Sequence, residues 1–135
     1  MKKIAILFIS GFVFVTITVF AQDIVKLKKV KPSKEFENIL IKKFNDDKEQ
    51  TTFMIWVKNE VKLHKHNFHI ENVYVVSGKG EFTLGDEVFK IKKGDYINIP
   101  KQTPHALKVT SRNPMQVISI QSPQFKGIDR VFIKK

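Results

Sequence analysis

Short apolar runs alternate with turn residues along this chain, and that pattern predicts strands rather than helices. Val73-Tyr74-Val75-Val76 is β-branched and aromatic and stops at Ser77-Gly78-Lys79-Gly80. Two glycines in four residues permit the positive φ angles of a tight hairpin. Residues 81–84 then run back, and Gly85-Asp86 leads into 87–91. Lys92-Lys93-Gly94-Asp95 leads into 96–99, and 100–104 reads as a loop. Beyond it 106–109, 115–121 and 128–133 read as further strands, separated by Arg112-Asn113-Pro114 and Ser122-Pro123. Near the start, 37–44 reads as one strand between a lysine-rich stretch, 26–34, and the turn 45–48. Turns recurring every ~8 to 12 residues argue for an all-β sandwich or barrel. No segment sustains a helical period.

The apolar positions of these strands give the expected core: Phe53, Ile55, Val57, Val73, Val75, Phe82, Leu84, Phe89, Ile91, Ile97, Ile99, Leu107, Val117 and Phe132. Trp56 and Tyr74 are expected to line a second interface. With no cysteine in the chain, no disulfide supports this core and no thiolate can bind a metal.

Four residues carry the candidate chemistry. His64 and His66 are two apart, Glu71 follows five positions later, and His105 opens a later strand. In an extended strand the i and i+2 side chains share a face, so both imidazoles can converge on one ion. Glu71 has the parity of Val73 and Val75 and is expected to start a strand antiparallel to the first. Three imidazoles and a carboxylate suit one divalent transition ion (Fe, Mn, Ni, Cu or Zn) and leave coordination positions open. His69 reads as an exposed loop residue. Tyr96, Asn98 and Gln121, with His69, are the candidates for supporting or acid–base roles.

These residues resemble the cupin superfamily. His64-x-His66, four residues, Glu71, six residues, Gly78 fits its first motif, G-x5-H-x-H-x(3,4)-E-x6-G. Gly94, Pro100 and His105 fit the second, G-x5-P-x-G-x2-H-x3-N, and the match spans residues 50–121. Lys58, Gln102 and Val109 replace a Gly, a Gly and an Asn of the pattern. Gly at 102 would tolerate backbone angles that Gln resists. The resemblance implies a jelly-roll barrel, a double-stranded β-helix of conical shape, holding its metal near one mouth through His64, His66, Glu71 and His105. It also implies a homodimer.

The N-terminus reads as an export signal. Met1-Lys2-Lys3, an apolar run over 4–20 and Val19-x-Ala21 have the basic, hydrophobic and small-residue parts of a signal peptide. The expectation is a signal peptide over 1–21 and a single domain over 22–135, periplasmic or secreted, without stable membrane insertion after cleavage. Net charge is +11 for the chain; removing Lys2 and Lys3 leaves 22 basic against 13 acidic residues, or +9. That field attracts anionic small molecules. Nucleic acid is not the expected partner, since the basic residues are dispersed lysines and arginine occurs only at 112 and 130.

The function expected is therefore a metal-dependent isomerase, lyase or dioxygenase acting on a small sugar-like or carboxylic acid substrate. A non-catalytic module binding a metal or small ligand in the barrel is the alternative. The tail 122–133 is expected to turn and close across the barrel or onto a second subunit, with Asp129 and Arg130 in a surface or interface ion pair.

Overall fold

A computed structural model describes residues 24–134, so the expected signal segment, 1–21, lies outside the described residues. Ten strands follow a single 3-10 turn at Leu27–Lys29. They are β1 (Ile39–Asp46), β2 (Thr51–Val57), β3 (Glu60–His66), β4 (Ile70–Ser77), β5 (Lys79–Leu84), β6 (Glu87–Lys92), β7 (Tyr96–Ile99), β8 (His105–Val109), β9 (Met115–Ser122) and β10 (Arg130–Phe132). They form two five-stranded antiparallel sheets, β1-β2-β9-β4-β7 and β10-β3-β8-β5-β6. The fold is all-β, as the strand pattern predicts, and is the jelly roll that the family resemblance implies.

Within the first sheet β2 and β9 are buried on both faces, which is why they are nearly continuous apolar runs rather than alternating ones. Inward, Val57, Val73, Val75, Met115 and Val117 meet Phe82, Ile91 and Leu107 of the second sheet. Outward, Met54, Trp56, Val76 and Ile118 pack with Leu40 and are covered by Leu27, Val30 and Phe36. Lys58 clamps this cover, donating to the Phe36 carbonyl at 2.5 Å with its ammonium 4.6 Å from the Phe36 ring centre. That is a reason for lysine where the family pattern has glycine.

Four expectations are corrected. Glu71's strand does not pair with the histidine strand: β4 pairs with β7 and β9, whereas β3 pairs with β8 and β10. The two strands lie in opposite sheets and face each other across the interior. Accordingly 77–80 is no hairpin but a corner between sheets, where Gly78 (φ 89°) runs so close to β9 that a Cβ would sit 2.9 Å from the Met115 Cα. Third, Phe89 and Phe132 are not core. They lie on β6 and β10, the edges of the second sheet, and are 45% and 61% exposed. Trp56, expected at an interface, is buried in the outer cluster, while Tyr74 is half exposed.

Candidate metal centre

The site is assembled by a kink in β3. Between Val61 and His64 the pairing with β8 slips by one residue, so Val61 opposes Leu107 and His64 opposes His105. A β-bulge of this kind re-aims side chains. Here it lets Val61 join the core and still turns His64 and His66 inward. His105 reaches the same space because the preceding loop is tied to β3, the Gln102 N–H donating to the His66 carbonyl at 2.6 Å. Gln102 adopts φ 63° to do so, the left-handed conformation that glycine supplies in the family pattern.

The ligand atoms of His64, His66, Glu71 and His105 lie within 4.8 Å of one another, and all four residues are buried. Imidazoles come from the second sheet and the carboxylate from the first. The ring centres of His64 and His105 are 4.2 Å apart, and that of His66 is 5.2 and 5.4 Å from them. His64 Nδ1 donates to the Lys62 carbonyl at 2.8 Å and His105 Nδ1 to the Thr103 carbonyl at 2.9 Å. Because a carbonyl only accepts, both rings are fixed as Nδ1–H tautomers with Nε2 lone pairs turned to the centre.

Glu71 divides its two oxygens. Ser119 Oγ donates to Oε1, joined by Gln121 Nε2 at 3.3 Å. Oε2 faces His66 Nε2 at 3.3 Å and His105 Nε2 at 3.2 Å, yet neither ring nitrogen makes a well-aligned hydrogen bond. Burial opposes ionisation of Glu71, but His105, His66 and Ser119 outweigh it and hold the carboxyl well below its usual range. Burial, followed by the nearby His105, lowers His64 to about 4. A neutral, lone-pair-bearing imidazole and an ionised carboxylate are the forms a cation binds. Orphaned buried nitrogens facing a carboxylate fit a divalent ion well.

Of the supporting candidates, Gln121 is at the site. Tyr96 and Asn98 are not: both are exposed, and Asn98 donates to Asn72 at 2.8 Å. His69 is buried rather than exposed. Its Nδ1 binds the Asp129 carboxylate and its Nε2 lies 2.9 Å from the Gln124 carbonyl. Asp129 is also buried, contrary to the surface ion pair expected of it. Its carboxylate accepts from the backbone N–H groups of Asn67, Phe68 and His69 at 3.0–3.2 Å. Burial works against its ionisation, but the Phe68 and His69 donors prevail and hold it below the ordinary aspartate range. The tail thus packs across its own barrel, and the ring of Phe125 lies edge-on to those of His66 and His69. Ser119, Phe125 and Arg130 are site residues that spacing alone did not single out; Ser119 shares the inward parity of Val117 and Gln121, which could have marked it.

The chain belongs to the cupin family, whose cupin domain model matches residues 51–121. An uncharacterised protein of Aquifex aeolicus is 32% identical over 113 residues, covering 84% of this chain and 92% of its own. An uncharacterised Methanocaldococcus jannaschii protein is 36% identical over 73 residues, 54% of this chain, and the chain spans 58% of that relative's length. Among solved structures, KdgF from Halomonas sp. superposes with a TM-score of 0.63 at 24% identity, covering 69% of this chain and 86% of that one. That likeness is one of fold.

Proposed function

We propose that the chain is a metal-dependent enzyme, an isomerase, lyase or dioxygenase acting on a small sugar-like or carboxylic acid substrate. The observation that carries this reading is the divided Glu71 carboxylate, with one oxygen fixed by Ser119 and Gln121 and the other facing imidazole nitrogens that lack well-aligned partners. His64, His66, Glu71 and His105 would hold the ion. A divalent ion there supplies Lewis-acid polarisation of a carboxylate, hydroxy-ketone or enediol oxygen and, as Fe(II), dioxygen chemistry. The chain's own part is to fix the tautomers of His64 and His105, keep Glu71 ionised and shed water from an aliphatic wall that includes Val57, Val73 and Ile99.

The test is metal-dependent consumption of a panel of keto acids, uronates and catechols. Turnover of a panel member, abolished by chelation, is the expected result. One observation favours the binding-module alternative: both His69 nitrogens are engaged and Tyr96 faces solvent, so neither acid–base candidate stands free at the cavity. Binding of several panel members with consumption of none would establish that alternative. Export to the periplasm or medium belongs to the same proposal and rests on the composition of residues 1–21. So does a homodimer, which rests on the family resemblance.

A further inference from the structure

Arg130 lines the cavity that the candidate metal centre opens into, rather than forming the surface or interface ion pair expected of it. Its placement follows from strand pairing. β10 runs antiparallel to β3 with Arg130 opposite His66 and Phe132 opposite His64, so Arg130 shares the inward face of the histidines. The buried Asp129 anchor fixes where that strand begins. Arg130 is the one lysine or arginine in the cavity lining. Its Nε is buried without a hydrogen-bond partner, and none of the ion pairs among the described residues involves it.

Glu71 lines the same cavity, but one oxygen is held by Ser119 and Gln121 and the other faces His66 and His105 at the metal centre. Most of the remaining wall is aliphatic, with Ile39, Ile41 and Val61 among its residues. Arg130 as a whole is half-buried, and the buried Nε of a guanidinium with no acid of its own is costly to leave unpartnered until an anion meets it. The wall also offers few partners for the hydroxyl groups of a sugar. The cavity is small, about 60 Å³. Its occupant is therefore small, with one anionic head and an apolar body.

We propose that the cavity takes short-chain aliphatic carboxylates, with the carboxylate paired to Arg130 and the alkyl body against the isoleucine and valine wall. This narrows the substrate class of the reading above and rests on that reading for the chemistry, though not for the binding. Arginine suits the task, since its planar fork can meet both oxygens of a carboxylate.

Calorimetric titration of the full chain, both metal-free and metal-loaded, with propanoate, butanoate, butanamide and glucuronate tests the proposal. The expected result is butanoate binding at least about tenfold tighter than its neutral amide, the margin of one charge-assisted hydrogen-bonded pair, and tighter than glucuronate. Arg130→Gln should lose at least about tenfold in butanoate affinity, Arg130→Lys should lose less, and both should keep the metal content of the parent. Equal binding of butanoate and butanamide by the unaltered protein would overturn the proposal without recourse to any variant. So would tighter binding of glucuronate, or unchanged butanoate affinity in a folded Arg130→Gln protein. Selective butanoate binding by metal-free protein upholds this inference even where no metal is ever retained, whereas metal retention without carboxylate selectivity sinks it and leaves the metal reading intact.

Discussion

The two ends of the barrel are built by the same alternation and filled differently. Along the inward face of β9, Met115 and Val117 meet Val57, Ile55 and Val75 on the neighbouring strands, and the interior there is hydrocarbon. Two residues further on, Ser119 and Gln121 meet Phe53, Val73, Thr51 and Glu71, and the interior turns polar. The apolar end is specified by volume alone. The polar end is specified by direction: a carbonyl behind His64 and His105, two donors on one oxygen of Glu71, and a tail carboxylate collecting the N–H groups of 67–69. A site that must hold side chains in fixed orientation needs such support, and a well-packed opposite end supplies the stability that lets polar groups be buried at all.

Breaking the apolar end should have the largest effect on stability. Met115→Ala, at a fully buried position of that end, is expected to lower it by about 4 kcal/mol while leaving metal content per folded molecule unchanged, as measured by urea unfolding and elemental analysis. Next comes the anchor of the polar end. Asp129→Ala leaves three backbone donors and His69 without their acceptor and should cost about 3 kcal/mol, with amide exchange at Asn67, Phe68 and His69 accelerating far more than at Val75 or Val117. Uniform acceleration across both ends would contradict the division drawn here.

Acid should act on the polar end selectively. His64 titrates near 6.5 when unfolded and at about 4 in the fold. Between those values the unfolded chain takes up a proton that the folded chain does not, so metal-free protein loses stability as pH falls from about 6.5 to 4. Glu71, held low in the fold, adds a loss in the same direction below its ordinary range. Urea midpoints across pH 7 to 4 should fall for the parent and fall less for His64→Leu; parallel curves would exclude His64 as the cause. The smallest effect is expected at the loop carrying His105. Gln102→Gly removes a left-handed strain of about 1 kcal/mol but frees the unfolded chain, so stability should change by less than about 1 kcal/mol, with metal content retained.

Much of the polar end was legible in the sequence because its residues are set by local spacing. His64, His66 and Glu71 lie within one strand–turn–strand segment, and Gly94, Pro100 and His105 within one turn and loop. The illegible parts depend on closure in three dimensions. Nothing local says that β3 and β4 join different sheets, that Gly78 turns a corner against Met115, or that a bulge resets the parity between Val61 and His64. The burial of His69 and Asp129 is legible only jointly, as partners 60 positions apart. Phe89 and Phe132 have core-like patterns yet fall on sheet edges, a property of strand order rather than of the strands themselves.

The central claim is tested most directly by metal content, measured by mass spectrometry on untagged protein beside a His64→Ala, His66→Ala double variant of matched fold. The account predicts close to one equivalent of a divalent transition metal in the parent and almost none in the variant. No metal in either protein after reconstitution, or equal metal in both, would contradict it.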